Sequence, residues 1–585
     1  MAKKVKNWTR NWSLMPFFFS DGEINTIETK LNSLEIRHVV FCSLESRFAR
    51  SGGLAAVTVK ILPALKNLDH IQNVLLVTPF YPNIMDESKL TPTGITFPVE
   101  FDNRQVTVEL LKHTVASERG PVEEYYLKAG GFFETHNTIK DPYGYFPDDP
   151  PRNETAGREN ALFFCKAVPH AVKAVGLRED IVFHLQEWQT AAIALTAKQA
   201  MLDGTLESCG TVQTLHNAFD QWLPVETLAK AKIAPKPGAG GNERNGALSL
   251  FRAKGGITAL EMGLQLVDGP VTTVSERFAV ELTEDRLQEE HFAPHLQKIF
   301  KKNGVIGVPN GLFIDFPPEY SQTETIPIEK IKQVKKEKRG DLLKILDTYH
   351  PPERFGSLTY RSGSITRLPQ RVPILVMTGR LDPFQKGFDI LLRALLKFAV
   401  DEIKVILTPM PVKDSDLDYF REVAEKCSGN VTVFPIRMKE GYHELQLGST
   451  FGIMPSIYEP FGAAIEYMVS GTVTIARKTG GLMDQVVHNR CGFLYREDPR
   501  VYTADNILSF SGTCKKVAYR DSNRWVIRMA DELGKTIRTA ADMYQNRPGD
   551  YYRLIQEGFT QARTFTWEKA AEKYARVFEK LTASG

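Results

Sequence analysis

Short, uninterrupted apolar runs, each followed by a glycine-bearing loop and a stretch of helical period, recur along this chain in two series. In the first, Arg37-His38-Val39-Val40-Phe41-Cys42 leads into a loop with Ser51-Gly52-Gly53. A helical pattern through Val57, Ile61, Leu62 and Leu65 follows, and then the run Asn73–Pro79. Strand, glycine loop, helix and strand in this order make a βαβ unit. Asp180–Leu185, Gly210–Leu215 and Pro270–Val274 extend the series, which closes near Val308-Pro309-Asn310-Gly311. Strands apolar at nearly every position belong to a parallel sheet covered on both faces. The second series starts at Pro373–Met377 and continues through a helix near residues 390–400 and the runs Ile403–Leu407, Val431–Phe434 and Phe451–Met454.

Two such series predict an α/β protein of two doubly wound domains, with a ligand crevice facing the carboxyl ends of their strands. A chain of 585 residues has room for both, at roughly 100–200 residues per domain. The division reads as an N-terminal extension over 1–35, a first domain over 36–316, and a second over 371–560. A C-terminal helix over 561–585 is free to pack back on the first domain. Residues 317–370 are rich in Pro, Lys, Glu and Ser and read as a linker or insertion, helical near 341–347. Within it, Lys335-Lys336-Glu337-Lys338-Arg339 reads as a solvated face, the usual place for a charge block. The terminal stretch Trp567–Leu581 repeats apolar residues at Ala570, Ala571, Tyr574, Val577 and Phe578, one face of a helix.

The charge balance, 73 basic against 70 acidic residues, argues against a nucleic-acid binder, which would carry a basic face. Six scattered cysteines without metal-ligand spacing point to reduced thiols. No apolar run approaches the ~20 residues of a membrane span. The N-terminal stretch, broken by Asn11, Ser13 and Pro16, does not read as a signal peptide. The expectation is a cytoplasmic protein with no membrane or nucleic-acid partner and an oligomeric state left open.

The chemistry concentrates in the second series. Arg380 and Lys386 stand six residues apart in a glycine-punctuated turn, Glu459-Pro460-Phe461-Gly462 is followed by Glu466, and Thr479-Gly480-Gly481-Leu482 comes next. Arginine offers a fork matched to phosphate, lysine a mobile point charge, and a Gly-Gly turn opening a helix offers backbone N–H groups. Together they suit a departing diphosphate, whose developing charge needs cations and donors aimed at it.

Taken with Arg50-Ser51-Gly52-Gly53-Leu54, Thr214-Leu215-His216-Asn217 and Pro455-Ser456, these segments resemble the signatures of starch and glycogen synthases, in family order from about Val39 to Trp567. That family comprises retaining glycosyltransferases of the GT-B fold, two Rossmann-like domains facing an interdomain cleft. The resemblance implies no metal or other cofactor, with ADP-glucose or UDP-glucose as donor and an α-1,4-glucan or maltooligosaccharide as acceptor. It assigns Arg380 and Lys386 to the donor diphosphate, Glu459 to the transferred sugar and Glu466 to the ribose. Arg50, in the place of a phosphate-binding lysine, joins Gly52, Gly53, Thr479, Gly480 and Gly481 around the donor. His216 is placed by the anomeric centre, and Glu187 stands where the family has an aspartate. Tyr143, Gln189 and Asn217 are placed as sugar or acceptor contacts. Two departures stand out: Ala56 replaces an acidic residue, and Gln189 replaces a histidine. The alternatives are a related transferase with a small acceptor and a catalytically weakened glucan-binding or regulatory homologue.

Overall fold

A computed structural model of the chain describes residues 10–50, 52–134, 150–235, 255–321, 325–349, 368–382, 385–410, 417–427, 429–433, 438, 440–512 and 517–582. Tyr143 and Ser51 lie outside the described residues. The chain divides into one unit of Met1–Val274, Ala279–Gly311 and Trp567–Gly585, and a second of Ser275–Phe278 and Leu312–Thr566.

In the first unit the described strands are β1 (His38–Cys42), β2 (Asn73–Pro79), β3 (Thr91–Phe101), β4 (Arg104–Val115), β5 (Val122–Ala129), β6 (Ile181–Gln186), β7 (Cys209–Leu215), β8 (Trp222–Pro224), β9 (Gly256–Thr258), β10 (Val271–Thr273) and β11 (Ile306–Gly307). Nine of them form one sheet in the order β11-β10-β7-β6-β1-β2-β5-β4-β3, and β8 and β9 pair separately. From β11 to β5 every neighbour is parallel. β5, β4 and β3 then continue as an antiparallel meander. The parallel centre consists of the apolar runs seen in the sequence, and β6 and β7 are buried at every position. Val39, Val40 and Phe41 of β1 are at most 1 % exposed, and each such side chain contributes about 1.5–3 kcal/mol by leaving water. The meander has a different signature. β3 alternates exposed and half-buried residues along most of its length, as expected of a strand with one wet face.

Helices cover this sheet. Leu54–Lys66 packs on β2, Ile193–Leu202 and Asp21–Asn32 on β7, and Trp567–Phe578 on Leu54–Lys66. The N-terminal extension is therefore part of the first unit's core. Its helix Asp21–Asn32 begins in a capping box formed by Ser20 and Glu23, and Ile27 and Leu31 are wholly buried. Trp12 donates through Nε1 to Asp268 Oδ1 at 3.1 Å, where Asp268 also meets the buried Lys198 at 2.6 Å.

In the second unit β12 (Ile374–Arg380), β13 (Lys404–Met410), β14 (Val431–Val433), β15 (Phe451–Met454), β16 (Val473–Arg477) and β17 (Gly492–Tyr495) make a sheet in the order β14-β13-β12-β15-β16-β17. All five described pairings are parallel. The segment read as a linker carries the 21-residue helix Ile328–Thr348. That helix corrects in part the reading of the basic run as solvated: Lys336 and Glu337 are exposed, but Lys335 and Arg339 are each only 7 % exposed. Ile331, Val334, Leu342, Leu343 and Leu346 are buried on the same helix, so the residues on that stripe face inward whatever their charge. Lys335 Nζ donates to Leu447 O at 2.6 Å, to Ser449 O and to Thr472 Oγ1 at 3.2 Å. Arg339 donates to the carbonyls of Pro369 and Val372. Burial, with Arg339 nearby, holds the Lys335 ammonium well below the usual lysine range.

Lys335 thus acts as a three-pronged donor that ties a helix to the turn leading into β15. Lys335→Ala leaves two buried carbonyls without that donor and opens a void. The expected loss is about 2–4 kcal/mol, read as a lower midpoint of chemical unfolding. A midpoint equal to wild type contradicts the assigned role.

Candidate functional site

The candidate residues of the first unit follow the carboxyl ends of three adjacent strands, β7, β6 and β1. After β1 the chain turns through Glu45, a buried carboxylate at 8 % exposure. Its Oε2 accepts from the backbone N–H of Gly52 at 3.0 Å and of Ala55 at 3.1 Å. Glu45 thereby fastens the Gly52-Gly53 turn at the start of helix Leu54–Lys66. Nothing stands within 4 Å of a Cβ built on Gly53, so the turn is open there. Arg50 is exposed and donates through Nε to Arg47 O at 3.0 Å. Arg47 forms a two-pronged ion pair with buried Glu124 of β5, which also meets His113 at 3.1 Å and the Tyr126 hydroxyl at 2.9 Å. Ala56, half-buried, lies in the first turn of helix Leu54–Lys66.

Glu187 directly follows β6 with φ 62° and ψ 176°. A side chain with a Cβ rarely adopts this backbone, and holding it costs about 1–3 kcal/mol. The carboxyl oxygen Oε1 accepts from the backbone N–H of His216 and, at 3.3 Å, from that of Asn217. Burial, reinforced by the Glu45 carboxylate and opposed by the two amides, pushes Glu187 up to about 8, so at neutral pH it is mainly protonated. Burial also lowers His216 to about 4, leaving a neutral imidazole. Gln186 points its NH2 group at His184 O, 3.5 Å, and its Oε1 at His216 Nε2, 2.9 Å. Nε2 therefore carries the imidazole proton and Nδ1 is the acceptor. Glu187, His216 and Asn217 are brought together as a neutral, braced group. Gln189 is buried at 4 % exposure, on the one-turn helix Trp188–Thr190.

The second unit repeats the arrangement at β12, β15 and β16, again three neighbours. Arg380 is the last residue of β12, preceded by Gly379 at φ 143°. Its guanidinium makes no hydrogen bond or ion pair with another described residue. Lys386 Nζ lies 2.8 Å from Glu459 Oε2, and Ser456 Oγ donates to the same oxygen at 3.0 Å. Gln385 Nε2 approaches Glu459 Oε1 at 3.5 Å. Glu459 is 4 % exposed, so its charge is compensated by a cation and a hydroxyl. Glu466, half-buried, is the third residue of helix Ala464–Val469.

Thr479-Gly480-Gly481 follow β16. The sequence suggested a helix N-terminus with donors for phosphate, but helix Leu482–Gln485 is a single turn and the Gly481 N–H is bonded to Glu459 O at 2.8 Å. A Cβ on Gly481 would stand 2.6 Å from Phe461 Cα and 2.7 Å from Pro460 O. This glycine therefore serves the close approach of two loops. Sequence reasoning missed Glu45, Gln186, Gln385 and Ser456. Gln186 and Gln385 stand beside the assigned Glu187 and Lys386, and Ser456 stood within a signature segment without a role of its own.

Residues 38–300 match the sequence profile described as the starch synthase catalytic domain, and residues 364–507 match glycosyl transferases group 1. The glycogen synthase of Koribacter versatilis is 24% identical over 554 residues, covering 93% of this chain and 98% of that one. The glycogen synthase of Geotalea daltonii is 26% identical over 555 residues, covering 92% and 97%. In three dimensions the chain resembles the catalytic domain of starch synthase IV from Arabidopsis thaliana, bound to ADP and acarbose, with a TM-score of 0.67 and 18% identity over 94% of this chain and 100% of that chain. The sucrose-phosphate synthase of Thermosynechococcus elongatus gives a TM-score of 0.50 at 16% identity, covering 94% and 100%. The fold is GT-B, two Rossmann-like units. No helix among the described residues is long and apolar enough to cross a membrane.

The raised Glu187 sets a pH dependence. Its folded value of about 8 exceeds the ordinary 4.5, so the unfolded chain ionises first and stability falls as pH rises between those values. His216 has the opposite sign, its contribution being lost as pH falls from its ordinary 6.5 toward about 4. Glu187→Gln should therefore flatten the decline in thermal midpoint between neutral and mildly alkaline pH. Parallel pH profiles for the two proteins would count against a protonated Glu187.

Proposed function

The chain belongs to the starch and glycogen synthase family of glycosyltransferases, and on that premise we propose that it transfers glucose, with retention, from ADP- or UDP-glucose to the non-reducing end of an α-1,4-glucan. The observation that carries the reading is the pair of cations at the end of β12 and in the turn that follows, Arg380 unpaired among the described residues and Lys386 held by Glu459. The relative bound to ADP and acarbose favours a nucleoside diphosphate as leaving group.

In this reading the bond from the anomeric carbon to the diphosphate oxygen breaks first. Arg380 and Lys386 take up the charge that develops on the leaving phosphate. Arg50, the Gly52-Gly53 turn, Thr479, Gly480 and Gly481 are assigned to donor binding. Glu466 binds the ribose hydroxyls. The acceptor's hydroxyl oxygen forms the new bond on the face that the phosphate leaves, and its proton passes to a phosphate oxygen. Glu459 orients the sugar and fixes Lys386. Neutral Glu187 and His216, with Asn217, hydrogen-bond the sugar without adding charge.

Same-face attack suits the carboxyl groups present. Glu187 is mainly protonated and binds two amides, while Glu459 is engaged by Lys386 and Ser456. Neither is a ready covalent nucleophile, since nucleophilic carboxylates act in their ionised, unengaged form. Gln189, being buried, is left to support the loop after β6. Charge neutralisation by two side-chain cations also leads us to propose turnover without a metal ion, so activity should persist in excess EDTA.

Two measurements test the assignments. Arg380→Ala and Lys386→Ala should each lower turnover roughly 10²–10³-fold, the scale for one lost electrostatic stabiliser, with folding preserved. Near-wild-type turnover in both variants removes the basis of the site. Glu466→Ala should weaken nucleoside diphosphate binding by about 1–3 kcal/mol, measured by titration, and equal affinity would refute the ribose role. Sugar nucleotides assayed against maltooligosaccharides report the donor base and the chain extension together. A single short product in place of a ladder would favour the small-acceptor reading.

A further inference from the structure

Phe219 lies in the loop after β7, three residues beyond His216, and is 51 % exposed. Among the residues whose exposure is described, it is the one Phe, Tyr or Trp with half its surface in water. Its neighbour Ala218 is buried at 6 %, so the loop lies against the unit while the ring stands away from it.

The loop that presents this ring is tied at both ends. Asn217 Oδ1 accepts from the Phe219 N–H at 2.7 Å, and the Asn217 N–H itself is held by Glu187. On the other side Asp220 Oδ1 accepts from the N–H groups of Gln221 at 2.8 Å and Leu260 at 2.9 Å. Its Oδ2 meets His295 Nε2 at 2.9 Å. Gln221 O accepts from Ala259 N at 2.8 Å. A phenyl on a flexible loop would be unremarked, but one carried on a backbone tied on both sides, beside the group to which sugar binding is assigned, starts with less freedom to lose on meeting a partner.

A pyranose ring offers such a partner, with one face of C–H bonds and hydroxyls at its rim. The C–H face lies against the negative face of an aromatic ring, while the hydroxyls stay free for polar groups such as those of the same loop. We propose that Phe219 is a stacking platform for a glucose residue of the acceptor glucan. The inference rests on the glucosyltransferase reading for the class of ligand. It assigns acceptor binding to a side chain outside the signature segments.

Calorimetric titration of the full chain with maltoheptaose tests it, with titration by the nucleoside diphosphate as a control for folding. Phe219→Ala should weaken maltoheptaose binding about tenfold or more and leave nucleoside diphosphate binding as in wild type. Phe219→Trp, which keeps an aromatic face, should bind maltoheptaose at least as tightly as wild type. Unchanged maltoheptaose affinity in Phe219→Ala overturns the proposal, as does a loss that tryptophan fails to restore. A change of oligomeric state in Phe219→Ala, seen by light scattering, overturns it in favour of contact with a second copy. The two readings fail separately. Binding through Phe219 without glucosyl transfer sinks the enzymatic reading alone, and transfer with unaltered binding in Phe219→Ala sinks this one alone.

Discussion

Parallel pairing is the constraint on which the rest of this protein depends. It sends the carboxyl end of every paired strand to one edge of its sheet, so loops far apart in sequence meet there. In the first unit β7, β6 and β1 are consecutive. Their exits place His216 and Asn217, Glu187, and the Glu45–Gly53 turn side by side. In the second unit β12, β15 and β16 are consecutive. Theirs place Arg380 and Lys386, then Ser456 and Glu459, then Thr479-Gly480-Gly481. Each unit thus builds its share of the chemistry from three adjacent strand ends, and neither needs a long excursion of chain to do so.

Loops that carry charge at a sheet edge need anchoring, and buried ion pairs supply it. Arg477 at the end of β16 is paired with Glu497 through two bonds of 3.0 and 2.5 Å, and its third nitrogen donates to Ile457 O at 2.6 Å. Trp525 Nε1 completes Glu497 at 2.7 Å. Ile457 in turn donates its N–H to Gln385 O at 2.8 Å, so one buried cation steadies the loops of both Glu459 and Lys386. Arg47 and Glu124 act similarly for the Arg50 loop. Such pairs add little by existing, but losing one partner strands a buried charge at about 3–5 kcal/mol. Their value lies in position, and the unfavourable backbone of Glu187 persists only because its surroundings hold it.

The parallel strands were legible because burial on both faces leaves apolar side chains at consecutive positions, as in Val39-Val40-Phe41 and Ile453-Met454. The meander β3-β4-β5 was not, because its one wet face interleaves Thr, Glu and Lys with the apolar residues. The helix Ile328–Thr348 was half hidden for a related reason. Lys335 and Arg339 sit on its buried stripe, held by carbonyl oxygens and, for Lys335, also by the Thr472 hydroxyl, and no composition rule anticipates a lysine whose partners are mainly main-chain atoms. The site was legible where a motif names a side chain, as for Lys386 and Glu459, which the structure joins. It was illegible where the role is to brace. Glu45 acts on Gly52 and Ala55 through backbone N–H groups that any residue would present, and nothing in its neighbours' identities betrays it.

The glycine turns read most differently once their bonds are counted. A Gly-Gly turn before a helix suggests free N–H groups awaiting phosphate, yet Gly481 donates to Glu459 O and Gly52 to the Glu45 carboxylate. Those two donors are already satisfied within the protein, and Glu45 adds negative charge beside the first turn. Gly481 permits backbone contact with Pro460 and Phe461, and Gly387, at φ 71°, lets its turn press against the Pro455 carbonyl. Both contacts bring the loops of β12, β15 and β16 closer than a Cβ would allow, and Lys386 reaches Glu459 across the gap so closed. Glycine therefore sets the distances at this edge, and in the mechanism we propose the charge of a departing diphosphate falls to Arg380 and Lys386.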